Sequence, residues 1–349
     1  MRVLHVVASL KAAYGGPARS VPALARALSE CGCEATVWAP DGSGAGDGSP
    51  AGFDLIHDHG IWLPHNWRLS RMARKLGIPL VVSPRGMLEP WAMRHKRWKK
   101  RFAWWLYQRR QLESAACLHA TSESEVRHFR RHFPRVPVCL IPNGVELPEK
   151  VPAKVASPDG RRTALFLGRI YPVKGLPLLV EAWKRVRPAG WRMEIAGPDE
   201  AGHRKEVEQL VRDAGLERDF SFTGPVEGNE KTAAFARAEL LILPSHSENF
   251  GMAVAEALAH GVPVLTTTGT PWAMLAPQKC GWSVEPTTDG IVNGLEQATA
   301  LDSATLQGMG QNGRELVAAN FTWRAAAGAM MSVYQWLLGS GPRPSCVSC

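Results

Sequence analysis

Leu243-Pro-Ser-His-Ser-Glu248-Asn-Phe-Gly251-Met-Ala-Val-Ala-Glu256-Ala-Leu-Ala-His-Gly261 runs from an apolar strand, through a polar loop, into a helix bounded by glycines. Residues Leu240 to Leu243 supply the strand, and the helix, 251 to 260, turns Val254, Ala257 and Leu258 toward a sheet. A carboxylate among Ala, Val and Leu is costly to bury unless a donor meets it, so Glu256 needs a partner. Vicinal hydroxyls, as on a ribose, supply two donors at once. Glu248, one turn nearer the loop, is placed to take hydroxyls of a sugar in the same way. The plainer reading of both is a pair with Lys or Arg and a simple helix cap.

Some 75 residues upstream, Gly168-Arg169-Ile-Tyr-Pro-Val-Lys174-Gly175 follows a strand, Ala164 to Leu167, and opens a helix, 175 to 187. Backbone N–H groups and the positive helix end face whatever sits there. Arg offers a planar fork and Lys a mobile point charge, so the two can grip a diphosphate from two sides. The turn is neither a P-loop nor a Gly-x-Gly-x-x-Gly turn. By itself it is equally a solvated loop with two surface charges.

Around these motifs strands and helices alternate: strand Arg192 to Ala196, helix 203 to 214, strand Phe220 to Thr223, helix 229 to 237 and strand Val262 to Thr266. Such alternation makes a doubly wound α/β domain, here 161–321. An earlier series, 1–147, starts with Arg2-Val-Leu-His-Val-Val-Ala8, a turn at Tyr14-Gly15-Gly16-Pro17 and a helix carrying Val21, Leu24, Ala25 and Leu28. It continues through strands at Ala35 to Trp38, Leu55-Ile56 and Leu80 to Ser83, a helix near 66 to 76, and a mobile Gly/Ser/Asp loop at 41 to 52. The Pro- and Lys-rich stretch 148–160 reads as a linker. The apolar helix 322–338 must pack somewhere and is expected to cross back to the first domain, and 339–349 reads as a flexible tail. A length of 349 residues suits two domains.

An apolar fraction of 45% with 21% charged residues is that of a folded globular chain, which excludes disorder. The longest apolar runs, Val3 to Leu10 and Glu239 to Pro244, fall far short of a membrane helix, and no signal peptide is legible. A cytosolic protein is expected. Seven cysteines at irregular spacing suit reduced thiols; Cys31-Gly-Cys33 and Cys346-Val-Ser-Cys349 lack a second half at zinc spacing. The net charge of +9 resides in residues 1 to 150.

Glu248-x7-Glu256, with Gly168-Arg-x4-Lys-Gly175 ahead of it, resembles the retaining glycosyltransferases of family 4, and the likeness extends from Gly15-Gly16 through Ile141-Pro-Asn-Gly-Val145 to the final helix. The resemblance implies a GT-B fold of two Rossmann-like domains facing each other across a cleft. It also implies retaining transfer from a nucleotide-diphosphate sugar, of UDP or GDP type, to a hydroxyl of a glycan or lipid-linked oligosaccharide. The product would be a surface polysaccharide such as lipopolysaccharide. Arg169 and Lys174 would bind the diphosphate and stabilise the leaving group, and Glu256 would bind ribose. Glu248, with the amides around Asn249, Phe250 and Gly251, would contact the transferred sugar. Gly16 would let the first-domain loop approach the phosphates, and the segments at Gly197-Pro198 and Thr223-Gly224-Pro225 would lie beside the base. No Asp-x-Asp occurs, so preorganised cations are expected to replace a divalent ion, and no cofactor is expected. A nucleotide-sugar epimerase of the same architecture is the main alternative.

Many members of that family carry a histidine where this chain has Val82-Ser-Pro-Arg85-Gly86. Arginine stays protonated, so Arg85 is suited to a phosphate or an acidic acceptor rather than to a base role. His57-Asp58-His59-Gly60 ends another strand, and its imidazoles, His59 above all, are candidates for proton transfer near neutral pH.

Trp91 to Arg110 interleaves aromatics with eight Lys and Arg. On a helix Trp91, Trp98, Phe102 and Trp105 share a side, while Lys96, Lys99, Lys100 and Arg110 spread over others. This suits an anionic membrane surface, here the inner face of the cytoplasmic membrane. The bland reading packs the aromatics into the core. Single-stranded nucleic acid is a competing partner, but no motif for it is present and it leaves Glu248 and Glu256 without a role.

Overall fold

A parallel strand covered on both faces buries every side chain, and that pattern marks the centres of two sheets in the computed structural model. The structure describes all residues except 12, 13, 90, 91, 94–96, 152, 156, 158 and 349, with the backbone alone at 97. The strands are β1 (Arg2–Val7), β2 (Glu34–Trp38), β3 (Leu55–His59), β4 (Leu80–Val82), β5 (Cys117–Ala120), β6 (Val138–Leu140), β7 (Arg162–Leu167), β8 (Trp191–Ala196), β9 (Phe220–Gly224), β10 (Ala238–Leu243), β11 (Val264–Thr267), β12 (Gly281–Val284) and β13 (Val347–Ser348). All five residues of β3 are buried, and β7 is buried from its second residue on.

The chain divides into two units, one of residues 1–144 with 321–349 and one of 145–320. The first holds a seven-stranded sheet ordered β13-β6-β5-β4-β3-β1-β2, the second a six-stranded sheet ordered β12-β11-β10-β7-β8-β9. All pairings are parallel except β13 with β6. Strand order reverses between β1 and β3 and between β7 and β10. In open α/β sheets ligands bind outside the carboxyl ends of strands at such reversals, so each unit has one privileged place.

Three expectations are corrected by local chemistry. Stretch 148–160 is not a free linker: Val155 N–H donates to Ala236 O at 3.1 Å and the Lys154 ammonium to Ala238 O at 2.5 Å, laying it on the second unit. The described part of the tail, 339–348, does not end loose. β6 would present an unpaired edge, and Val347 and Ser348 pair with Cys139 and Val138 to cover it, burying Val347. The loop 41–52 is pinned at its start, where Asp41 accepts from Ser9 Oγ at 2.7 Å and Ala45 N–H donates to Val37 O at 2.8 Å. Short polar side chains there take over the role of a backbone turn.

The helix Trp323–Leu337, capped by Thr322 accepting from Ala325 N–H, packs against the helix Gly16–Glu30 of the first unit. Gly144 makes the crossing possible, since a Cβ on it would lie 2.5 Å from the Trp323 backbone. The sequence reading left β5, β6, β12 and the helices Glu123–His132, Thr288–Thr299 and Ser303–Asn320 unassigned. The three strands are each only three or four residues long.

Candidate functional site

At the β7 end the exit of β8 lies too close to that of β7 for a side chain at Gly197. A Cβ on Gly197 would lie 1.7 Å from Gly168 O, and Gly197 N–H donates to Gly224 O at 2.7 Å. Beyond this glycine layer the chain stays extended: Ile170 bridges Asp199, and Ile170 N–H donates to Pro198 O at 2.8 Å. That ladder sets Arg169 beside Glu200, and the two form an ion pair in which both are more than a third exposed. Pro225, after Gly224, is exposed.

A single 3-10 turn, Pro172–Lys174, then delivers Lys174 to the start of the helix Leu176–Val186. Gly175 has φ 68°, and a Cβ there would meet Pro244 O at 2.1 Å, so the turn lies directly on the exit of β10. Lys174 reaches Glu248 in an ion pair only 14% and 13% exposed, and Ser245 Oγ donates to the same carboxylate oxygen at 2.8 Å. The two motifs, 74 residues apart, thus converge at the β7/β10 reversal.

The Glu248 loop is stitched on both sides. His246 N–H donates to Val173 O and Glu248 N–H to Gly269 O, each at 2.8 Å. Trp272 Nε1 donates to Phe250 O at 2.5 Å and its ring lies 5.4 Å from that of Phe250. Gly251, at φ 79°, starts the helix Met252–Ala259 against Trp272, and Asn249 is half-buried between Glu248 and Phe250. Glu256 finds its donor in Lys231 of the helix Gly228–Arg237, at 2.8 Å, through Oε1. Oε2 makes no hydrogen bond among the described residues, which leaves an acceptor at the rim.

In the first unit, register rather than motif makes a cluster. His5 on β1 pairs across to His57 on β3, and His59 lies two residues on, so all three imidazoles share a face. The rings of His57 and His59 stack at 3.9 Å, and His119 of β5 meets His57 edge-on at 5.3 Å. Arg85, in the left-handed region at φ 55°, donates from Nη1 to Asn143 Oδ1 at 2.6 Å and from Nη2 to His59 Nδ1 at 2.9 Å. Among the described residues it touches no carboxylate within 4 Å. Tyr334 Oη and His57 Nδ1 share a hydrogen bond of 2.7 Å.

Because a guanidinium only donates, His59 Nδ1 accepts, its proton sits on Nε2, and Nε2–H donates to His5 Nδ1 at 2.9 Å. The ring atoms of His5, His57 and His59 lie within 4.8 Å of one another, a spacing that suggests a metal, yet this tautomer leaves His59 no lone pair to give one. Burial, with the Arg85 cation as a lesser cause, holds His5 and His119 down to about 3. Burial followed by neighbouring charged groups, Arg85 among them, keeps His57 and His59 well below the usual histidine range. The expectation that His57 or His59 titrates near neutrality is therefore overturned. Burial also lowers Arg85 to about 10, still a cation at neutral pH. Asp58 points to the opposite face, accepts from Asn66 Nδ2 at 2.8 Å, and is raised by burial to about 8.

Gly16, after Gly15 at φ 77°, opens the helix Gly16–Glu30 with no side-chain cap and open space around it. In the basic aromatic segment Trp98, Phe102 and Trp105 are 70%, 67% and 82% exposed, so the core-packing reading fails for them. Trp104 turns inward, to Trp62 and Phe133, and Tyr107 is half-buried beside Trp62. Lys99 is exposed, but the Lys100 ammonium folds back to Ala92 O at 2.7 Å and is not part of an outward basic face. Trp91 and Lys96 lie outside the described residues.

Sequence reasoning missed Glu200, Ser245, Lys231 and Trp272 in one unit and His5, His119, Asn143 and Tyr334 in the other. Ser245 and Asn143 stood inside the stretches 243–261 and 141–145 without a role of their own, and His5 left a signal as the one polar residue inside the apolar run of β1.

Two family models match the chain: "Glycosyl transferases group 1" over residues 149–316 and "Glycosyl transferase 4-like domain" over 49–144. A D-inositol 3-phosphate glycosyltransferase of Arthrobacter sp. (strain FB24) is 28% identical over 236 residues, 62% of this chain and 54% of that protein. The chain thus spans about half the length of that relative. A GDP-mannose:cellobiosyl-diphosphopolyprenol alpha-mannosyltransferase of Xanthomonas campestris is 26% identical over 294 residues, 82% of this chain and 75% of that one. The fold is that of sucrose-phosphate synthase from Thermosynechococcus elongatus, with a TM-score of 0.81 over 98% of this chain and 100% of the other at 21% identity.

Proposed function

This chain belongs to the group 1 glycosyltransferases, and on that premise we propose that it moves a sugar from a nucleotide-diphosphate donor, of UDP or GDP type, to an acceptor hydroxyl with retention of configuration. The observation that carries the reading is the convergence of Lys174, Glu248 and Ser245 at the β7/β10 reversal, with Arg169 just past the end of β7. A diphosphate arriving there takes over Lys174 and Arg169. Glu248, released from Lys174, accepts hydroxyls of the transferred sugar, and Glu256 Oε2 accepts those of the ribose. As the sugar leaves the diphosphate, negative charge grows where both cations already stand, which lowers the barrier without a divalent ion.

The acceptor is a glycan or a lipid-linked oligosaccharide in surface-polysaccharide synthesis, a reading supported by the relative whose name includes a diphosphopolyprenol. No helix among the described residues is long and apolar enough to cross a membrane. We place the protein at an anionic membrane surface through the exposed aromatics of 98–106 and the basic residues around them. Thermal-shift titration with a panel of nucleotide sugars tests the donor site. One sugar nucleotide is expected to raise the melting temperature of the wild type and not of Glu248→Ala. A panel without any shift at millimolar concentration removes the reading.

A further inference from the structure

The helix Pro64–Leu76 and the helical run 97–113 flank an open surface cleft of about 240 Å³ lined by Arg71, Arg74 and Arg110, all three exposed. Its neutral polar groups are already satisfied. Ser70 Oγ donates to Trp67 O at 2.9 Å, Tyr107 Oη to Trp62 O at 2.7 Å, and Gln111 Nε2 to Asn66 O at 3.3 Å. The three guanidiniums are different. No carboxylate lines the cleft, and none of the three has an acidic partner among the described residues, whereas neighbouring Arg109 pairs with Glu113. Arg71 is steadied by the Trp67 ring, 4.9 Å away. The unmet bonding capacity of the cleft is cationic and forked, which fits phosphate oxygens.

The rim supplies a second observation. Residues Trp104–Gln108 form a π-turn, and its wider winding holds Trp104 against Trp62 while Trp105 and Leu106 stand outward. Leu106 and Arg110 are shared with a second cleft of about 470 Å³ lined also by Trp104, Trp105 and the Arg109–Glu113 pair, and Trp98 and Phe102 stand exposed on the preceding turns of the same helical run. A phosphate socket fringed by exposed indoles matches the boundary of a bilayer, where headgroup and acyl chain meet.

We propose that Arg71, Arg74 and Arg110 bind the phosphate headgroup of an anionic lipid in the membrane while the fringe enters the acyl boundary. This rests on the membrane placement above and is independent of the donor site. The test is cosedimentation of the full chain with vesicles of phosphatidylcholine alone or mixed with phosphatidylglycerol. Wild type is expected to partition to the mixed vesicles, and the triple variant Arg71→Gln, Arg74→Gln, Arg110→Gln about 100-fold less, at roughly fivefold per arginine. Its melting temperature and donor-induced thermal shift should match wild type, because these side chains are exposed and hold no ion pair. Equal partition of the triple variant overturns the socket and leaves the membrane placement standing. Wild type that ignores mixed vesicles overturns both, and release of bound protein by millimolar glycerol phosphate shows a site for free phosphate and overturns the lipid assignment.

Discussion

The carboxyl ends of the two sheets both gather charge and settle it in opposite ways. In the second unit each cation reaches a carboxylate: Arg169 to Glu200, Lys174 to Glu248, Lys231 to Glu256. Those pairs keep some contact with water, so an anionic ligand can exchange for the carboxylate at modest cost. In the first unit Arg85 leans on neutral groups, Asn143 and His59, and the histidines behind it are buried and held uncharged. Exchangeable ion pairs suit binding and release. A buried neutral network suits holding one side chain in one place.

The contrast is sharpest in catalysis. Lys174→Ala should lower kcat/KM for the donor about 10²- to 10³-fold, the usual cost of losing one preorganised donor to a developing charge. His59→Gln, which keeps an acceptor toward Arg85, should cost far less; equal losses in steady-state kinetics would erase the distinction between the units. Glu256→Gln is expected to raise the donor KM about tenfold with kcat nearly kept, as befits a contact made equally in ground and transition states.

Smaller effects lie in the pH dependence of stability. His5 falls from 6.5 to about 3 on folding, so the stability linked to its neutral form is complete above about 6.5 and is lost as pH drops toward about 3. Urea titrations across that window should show His5→Gln losing stability less steeply with acid than wild type. Asp58 rises from 3.8 to about 8, so wild type is penalised progressively from pH 4 to 8. Asp58→Asn, which can still accept from Asn66, should therefore gain on wild type over the same range. A gap that shrinks with rising pH would contradict the buried, protonated state. The smallest expected effect is none: glycosyl transfer should continue in excess chelator, and an absolute need for Mn²⁺ or Mg²⁺ would refute leaving-group stabilisation by Arg169 and Lys174 alone.

Legibility in the sequence followed the range of each interaction. The glycine turns at Gly168, Gly175 and Gly251 were readable because the demand they meet is local, a positive φ or a backbone pressed against the next strand exit. Glu256 announced its need for a donor, since a carboxylate in an Ala-rich helix is a conflict visible within one turn. Which donor answered, Lys231, was not, because it comes from another helix and a register no local pattern records. The tail was misread for the same reason: Val347 and Ser348 look unstructured until β6 offers an open edge.

The sequence by itself determined two doubly wound units and the place of Arg169, Lys174, Glu248 and Glu256 at strand exits and helix starts, because alternation of apolar runs and turn residues acts over a few positions. Only the tertiary structure decided that Lys174 and Glu248 meet, that His5, His57, His59 and His119 share one buried face behind Arg85, and that Trp98, Phe102 and Trp105 face outward while Trp104 turns in. Those outcomes depend on which strands become neighbours and on a single π-turn, and burial then sets the charge of each group by its desolvation.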